Sequence, residues 1–142
     1  MKLKTKRLHP RAKLPTYATE GSACFDLTAI TREITNNTAL YRTGLAFEIP
    51  KGHVMLVYSR SGHGFNYDMR LANCVGVIDS DYVGEVMVKL THDSYGSYHD
   101  WPFVGDRVAQ VMLVKLPTVE IVETDVLHET TRGTGGLGST GA

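Results

Sequence analysis

Residues that interrupt regular structure recur about every eight to twelve positions along this chain. Between them lie short segments rich in β-branched and aromatic residues, and no window sustains a helical apolar stripe beyond about two turns. This spacing predicts many short strands and few helical residues. The interrupting residues are Pro15, Gly21, Asn36, Asn37, Gly44, Pro50, Gly52, Gly62, Gly64, Gly76, Gly84, Gly96, Gly105 and Pro117.

Four segments have the composition of strands: residues 53–58, 85–91, 107–114 and 118–123. Segment 118–123 alternates apolar and polar residues, as a half-exposed strand does. Segment 108–114 is apolar on both faces except at Gln110, which predicts a central strand or one packed against a neighbouring subunit. The predicted fold is therefore all-β, a sandwich or distorted barrel, with at most one short helix around residues 59–68.

The chain is predicted to form one β domain over residues 1–128, followed by a flexible Gly-rich arm over residues 129–142. Fifteen Lys and Arg balance fifteen Asp and Glu, so no positive excess exists to bind nucleic acid. No apolar run is long enough for a signal peptide or a membrane span, so we expect a cytoplasmic protein that is not secreted. Cys24 and Cys74 are expected to be free thiols, and the six histidines lack zinc-site spacing.

Three stretches could carry chemistry, and each also has a purely structural interpretation. The tail after Arg132 combines a cation, hydroxyls and glycines, which suits a polyphosphate but also a disordered linker. Arg60, Ser61 and Gly62 follow a strand and could bind an anion at a helix start, or form an ordinary turn. Residues 76–84 (GVIDSDYVG) place two carboxylates between apolar residues, consistent with either a hairpin turn or a general base.

These stretches, in this order, resemble the five motifs of the trimeric dUTP pyrophosphatases. The motifs span residues 20–27 (EGSACFDL), 59–62 (SRSG), 73–84 (NCVGVIDSDYVG), 105–110 (GDRVAQ) and 132–141 (RGTGGLGSTG). The resemblance implies a jelly-roll-like distorted barrel that forms a homotrimer, with active sites at subunit interfaces and an arm that closes over them. It implies hydrolysis of dUTP to dUMP and pyrophosphate, which limits uracil in DNA and supplies dUMP for thymidylate synthesis. A viral member would act in the cytoplasm or nucleus of its host.

The same resemblance assigns roles to individual residues. Asp79 is expected to activate the water that attacks the α-phosphorus. Asp26 is expected to reach Mg²⁺ through water, while the phosphates supply most of the metal's ligands. The residues implied in substrate binding are Arg60, Ser61, Gly62 and Gln110 for the phosphates, Asn73, Gly76 and Met87 for uracil, Tyr82 for the deoxyribose, Leu137 as a cover for the base, and Arg132, Ser139 and Thr140 for the γ-phosphate.

The chain departs from the family pattern at three positions. Leu137 stands where an aromatic residue usually stacks on uracil, which predicts a looser lid. Cys24 replaces a common glycine, and His63 replaces a common leucine, with no assigned chemical role in either case. A related dCTP deaminase would carry a glutamate where this chain has Lys89, which argues against deamination. A catalytically inactive dUTP-binding regulator is the other alternative, and the presence of Asp79 argues against it.

Overall fold

The structure is a computed structural model that describes residues 1–92, 101–139 and 141. The described chain is mostly β, with one short helix. The strands are β1 (Lys4–Arg7), β2 (Phe25–Thr28), β3 (Thr31–Thr35), β4 (Thr38–Arg42), β5 (Leu45–Glu48), β6 (His53–Tyr58), β7 (Met69–Leu71), β8 (Gly76–Ile78), β9 (Met87–His92) and β10 (Arg107–Lys115), and the helix is α1 (Ser61–Tyr67).

Two antiparallel four-stranded sheets form the body of the molecule. Their strand orders are β2-β10-β6-β8 and β3-β4-β9-β7, and β1 pairs with β5 in a separate ribbon. The described strands do not close into a barrel. The predicted all-β, jelly-roll-like class is therefore confirmed, in the form of two open sheets rather than a closed barrel.

One hydrophobic core lies between the two sheets, and both contribute to it. Alternation within strands explains why: Phe25 and Leu27 of β2 are buried while their neighbours are partly exposed, and Val88 and Leu90 of β9 repeat the pattern. Tyr41 is fully buried, and its hydroxyl donates a 3.0 Å hydrogen bond to the carbonyl oxygen of Pro102. This bond anchors the loop before β10 to the core.

Three of the four predicted strands are confirmed, with small shifts of their ends. Segment 53–58 is β6, segment 85–91 becomes β9, and segment 107–114 becomes β10. The central position predicted for β10 is also confirmed, because it lies between β2 and β6. The predicted helix around residues 59–68 is α1, which ends where Asp68 adopts a left-handed conformation with φ of 50°.

The fourth predicted strand, segment 118–123, is wrong for the isolated chain. No described residue after Lys115 belongs to a strand, and Val119, Ile121 and Val122 are exposed. An extended segment becomes a strand only when a neighbour satisfies its backbone groups, and none lies alongside it here. The predicted domain boundary at residue 128 stays a prediction, although regular structure ends earlier. No helix in the described ranges has the length and apolar character needed to cross a membrane.

Candidate active site

One end of the sheet β2-β10-β6 collects the polar side chains of three adjacent strands. Asp26 of β2 and Tyr58 of β6 both pair with Gln110 of β10, so these three residues form one row across the sheet. A β-bulge between Arg107 and Ala109 shifts the register at the start of β10. Because bulges change the direction of a side chain, Arg107 reaches the same end of the sheet as Asp26.

Asp26 lies between two arginines, and we call these three residues the Asp26 cluster. Arg60 Nε donates to Asp26 Oδ1 at 3.0 Å, and Arg107 Nη1 donates to Asp26 Oδ2 at 3.1 Å. The Asp26 side chain is 18% exposed, that of Arg60 24% and that of Arg107 54%. Charge-assisted bonds at this depth are shielded from water on one side, so the cluster is a preformed part of the fold.

Gln110 and Ser59 fix the loop that carries Arg60. Gln110 Nε2 donates to the carbonyl oxygen of Ser59 at 2.9 Å, and Ser59 Oγ accepts a 2.9 Å bond from the backbone N–H of Leu71. Arg60 is the N-cap of α1, so the amides of the first helical residues have no acceptor within the helix. The loop therefore presents cationic and N–H donors from a restrained backbone.

A cleft of about 330 Å³ opens beside the Asp26 cluster. Ser61, Gln110 and Cys24 also line it, so the structure places four of the residues predicted to bind phosphate or metal around one cleft: Asp26, Arg60, Ser61 and Gln110. Desolvation, with a smaller effect of Asp26, raises the pKa of the Cys24 thiol, which therefore stays protonated near neutral pH. The predominantly cationic and polar lining suits an anion of several charges.

Gly62 lines an adjacent cleft of about 400 Å³ on the α1 side of the two arginines. His63 also lines this second cleft, and its Nδ1 is buried without a hydrogen-bond partner in the described residues. Burial, followed by the charge of Arg60, lowers the pKa of His63. His63 is therefore neutral near pH 7 and adds no competing charge to Arg60.

A third cleft, of about 450 Å³, lies where the edge strand β8 faces β9. The three residues predicted to recognise the base, Asn73, Gly76 and Met87, all line it. A Cβ atom at Gly76 would stand 2.9 Å from Val57 Cβ, so only glycine lets β8 lie this close to β6. Because β8 is an edge strand, one side of its backbone is free to pair with a planar ligand, as it would with another strand.

The loop from β8 to β9 carries Asp79 and Tyr82. The Tyr82 hydroxyl donates to the carbonyl oxygen of Glu85 at 2.9 Å, and the ring lies so close to Gly84 that a Cβ atom there would stand 2.6 Å from the hydroxyl. Tyr82 is nevertheless 44% exposed, and Asp79 is exposed. The loop thus has a fixed shape while its carboxylate faces solvent.

Glu85, which has no predicted role, anchors this loop to β4. Its carboxylate accepts hydrogen bonds from Arg42 and a 2.8 Å bond from the backbone N–H of Gly44, and its side chain is only 11% exposed. The hydrogen bond from Arg42 is the main cause of the lowered pKa of Glu85. Thr43 reinforces the joint by donating to the carbonyl oxygen of Val86 at 2.6 Å. Only tertiary pairing reveals Glu85, because its partners lie some forty residues away.

Within one chain, Asp79 and the Asp26 cluster lie at opposite ends of β6. Asp79 follows Ile78, which pairs with Met55 near the beginning of β6, whereas Arg60 lies just beyond its end. The separation is about six residues of extended strand, or about 20 Å. A single subunit therefore does not bring its own Asp79 to a ligand bound at its own Asp26 cluster.

The C-terminal residues predicted to hold the γ-phosphate lie in the exposed segment after β10. Arg132 Nε donates to the carbonyl oxygen of Gly135 at 2.8 Å, a bond within its own turn. Leu137 is fully exposed and Ser139 is exposed, and neither lines any of the three clefts described above. Thr140 lies outside the described residues. The isolated chain therefore does not bring the arm residues to the other predicted site residues.

Among residues 1–92, 101–139 and 141, no three His, Cys, Asp or Glu side chains converge in a way that could hold a metal ion. Asp26 is the carboxylate that faces the cationic cleft. One carboxylate cannot hold Mg²⁺ alone, but it can contribute to a site in which phosphate oxygens and water supply the other ligands. The donor set thus fits a metal that arrives with a polyphosphate.

Comparison with known proteins matches this geometry to one family. The family model described as dUTPase matches residues 10–141. The deoxyuridine 5'-triphosphate nucleotidohydrolase of Helicobacter pylori strain J99 is 38% identical over 143 residues, covering 99% of this chain and 97% of that protein.

Two solved phage structures share the fold. A variant of the Staphylococcus bacteriophage 80alpha dUTPase with dUpNHpp has a TM-score of 0.84 at 22% identity, covering 99% of both chains. A variant of the dUTPase from S. aureus phage phi11, with a structural Mg(II) ion, has a TM-score of 0.77 at 20% identity, covering 91% of this chain and 100% of that one.

Proposed function

This chain belongs to the dUTPase family, and from that premise we propose that it hydrolyses dUTP to dUMP and pyrophosphate by attack of an Asp79-activated water on the α-phosphorus. The proposal rests on the presence of two preformed clefts, one that suits an anion and one that suits a planar base. One is cationic and contains Arg60 and Gln110, while the other is lined by the β8 edge and Asn73. A nucleoside triphosphate has a matching anionic chain and planar base.

The active form is a homotrimer, with each site built from more than one copy. The separation of Asp79 from the Asp26 cluster supports this assembly, because a second subunit must supply the missing half. A further reason is that Val119, Ile121, Val126 and Leu127 are all strongly exposed, and large apolar side chains concentrated in one segment are commonly buried in an interface. The arm over residues 129–142 then closes in trans, which brings Arg132 and Ser139 to the site.

The phosphate chain is held by charge-assisted hydrogen bonds. Arg60, Ser61, Gly62 and Gln110 bind the α and β phosphates, and the arm residues Arg132, Ser139 and Thr140 bind the γ-phosphate. These contacts hold the phosphorus in line between the attacking water and the leaving pyrophosphate. Asp79 accepts a proton from that water and so acts as the general base.

Base selection takes place at the β8 edge. The side chain of Asn73 and the backbone at Gly76 and Met87 pair with uracil, and the narrow cleft excludes a 5-methyl group and a cytosine amine. Tyr82 packs under the deoxyribose and excludes a 2′-hydroxyl. Its hydrogen bond to the Glu85 carbonyl oxygen keeps the ring in place for this contact. Leu137 covers the base from the arm without stacking on it.

Mg²⁺ is the proposed metal, held by the phosphates and by Asp26 through water. The fit rests on the single carboxylate in the cationic cleft, and a phage relative with this fold is described with a structural Mg(II) ion. The metal supplies charge neutralisation on the phosphate chain. In the cytoplasm, such an enzyme limits uracil incorporation into DNA and supplies dUMP for thymidylate synthesis.

Product chromatography with dUTP, dCTP, dTTP and UTP in the presence of Mg²⁺ tests this function. We expect only dUTP to be converted, to dUMP and pyrophosphate. Asp79→Asn should lower turnover by about 10²- to 10⁴-fold, the usual contribution of a general base. Asp81→Asn is the matched control, because it removes an exposed carboxylate two residues away. Turnover of dCTP, or equal activity of the two variants, would contradict the proposal.

A further inference from the structure

Both carboxylate oxygens of Asp26 are already occupied in the free chain. Oδ1 accepts from Arg60 and Oδ2 accepts from Arg107, at 3.0 and 3.1 Å. The proposed function nevertheless requires Arg60 to bind phosphate and Asp26 to approach a hydrated cation. Each pair takes an N–H donor that a phosphate could use and a carboxylate oxygen that a hydrated cation could use, so phosphate and Asp26 compete for the same two guanidiniums.

Arg107 is placed to take part in this rearrangement. The bulge between Arg107 and Ala109 directs it toward Asp26, and it lines the phosphate cleft. Its side chain is 54% exposed, so its remaining N–H donors are open to a ligand. A guanidinium has five donors, and the bond to Asp26 uses one of them.

We propose that Arg107 is a further phosphate-binding residue and that the Asp26 cluster works by exchange: the polyphosphate takes the guanidiniums of Arg60 and Arg107, and Asp26 then accepts the hydrated cation in their place. The inference rests on the proposed function, since the anion is the triphosphate of dUTP. It adds that nucleotide and metal are coupled through the charge of Asp26, for which the cation and the two arginines compete.

The electrostatics determine the direction of the coupling. Two guanidiniums and one carboxylate leave the cluster with one net positive charge. An entering polyphosphate gains the arginines but comes close to the Asp26 carboxylate, a like charge that weakens binding. A cation between them removes that repulsion. Asp26 therefore opposes nucleotide binding when metal is absent and supports it when metal is present.

This prediction differs from that of a simple metal ligand. If the Asp26 carboxylate did not compete with the phosphates for the two arginines and lay too far from the phosphates to repel them, its removal would leave metal-free binding unchanged. Under exchange, Asp26→Asn removes the charge that competes for both arginines, so metal-free nucleotide should bind more tightly. The gain in affinity caused by Mg²⁺ should shrink for the same reason.

Calorimetric titration of the full chain with dUpNHpp, in EDTA and in Mg²⁺, tests the exchange without turnover. Asp26→Asn should tighten metal-free binding by roughly fivefold or more, within the usual range of coupling between two ligands. Arg107→Met should weaken binding in both conditions. Arg107→Lys should recover part of the loss, because it restores the charge but not the fork of donors. Arg11→Met, an exposed arginine outside the clefts, is the control and should match the unsubstituted chain.

Two results separate the failure of this inference from the failure of the proposed function. If the unsubstituted chain binds dUpNHpp in Mg²⁺ but metal-free affinity is unchanged or weaker in Asp26→Asn, the exchange is overturned while the function stands. If the unsubstituted chain does not bind dUpNHpp in Mg²⁺, both are overturned. Thermal melting of each variant shows that a change in binding is not a loss of fold.

Discussion

The two ends of β10 lead to regions of opposite character. At its first residues lies the Asp26 cluster, whose three side chains are fixed by strand register and by hydrogen bonds of 3.0 and 3.1 Å. Beyond its last residue, Lys115, the N–H of Leu116 donates to the carbonyl oxygen of Gly52 at 2.8 Å. The described hydrogen bonds that follow join residues at most four positions apart, and Ile121 is 95% exposed. The cluster is formed within one chain, whereas the described C-terminal segment has few contacts beyond its own turns.

This difference teaches how the proposed enzyme divides its work. The part that binds charge is already positioned by the fold, so the two arginines can change partners without a rearrangement of the backbone. The arm proposed to close the site is rich in glycine. A segment of this composition becomes ordered only when it binds to another surface. Changes in the body and in the C-terminal arm should therefore have different consequences.

Ending the chain at residue 131 should separate the two regions most clearly. Removal of Arg132 and the arm should lower kcat/KM for dUTP by about 100-fold or more, because misplacement of the phosphates costs at least that much. The melting temperature and the oligomer size should be unchanged, since these residues bury nothing in the described chain. Steady-state kinetics and light scattering check both points. Full turnover by the shortened chain would show that the arm has no part in catalysis.

Glu85→Ala should destabilise the fold by about 2 kcal/mol, a typical cost for losing hydrogen bonds to a charged group. Glu85 joins the loop between β8 and β9 to β4, and its side chain is almost fully buried. Glu120→Ala, in the exposed C-terminal segment, should change the free energy of unfolding by less than about 0.5 kcal/mol. Urea unfolding measures both variants. Equal losses would mean that the segment is as well packed as the body.

The pH dependence of stability should also report on the contact between Glu85 and Arg42. Arg42 lowers the pKa of Glu85 below its ordinary value of 4.5, so the folded state favours the ionised carboxylate. Its contribution is complete above the unfolded pKa and is lost as pH falls through the lower folded pKa. Urea unfolding between pH 7 and pH 3 should therefore show a loss that is smaller in Glu85→Gln. Parallel curves for the two proteins would remove Glu85 from the explanation.

Leu137→Phe should have the smallest effect of these changes, a modest gain in affinity for dUTP through better closure of the arm. A phenyl ring stacks on uracil, which is worth roughly 1–3 kcal/mol at full contact, and an arm that closes transiently gains the lower part of that range. We expect KM for dUTP to fall by about fivefold with little change in kcat. Steady-state kinetics of the full-length variant measures it. An unchanged or higher KM would indicate that residue 137 does not cover the base.

Much of the fold follows from the sequence because strands can be predicted from local runs of apolar and β-branched residues between turn residues. β6 and β10 were predicted from apolar composition, and a short helix was predicted around residues 59–68, where α1 lies. The grouping of Arg60 with Gln110 and of Asn73 with Gly76 came from the order of five motifs rather than from any single one. Segment 118–123 has the same alternation as a strand, yet alternation does not supply the neighbour that a strand needs.

The all-β class could be predicted from the sequence alone, and so could most strands between the turn residues and the family. These features depend on residue type and on order along the chain. The tertiary structure was needed to show that Arg60 and Arg107 both bind Asp26, that Glu85 anchors the loop between β8 and β9, and that Asp79 and the Asp26 cluster lie at opposite ends of β6. These facts depend on strand register, a bulge and contacts between residues tens of positions apart. Such pairings are chosen by the packing of the whole core, which no local pattern records.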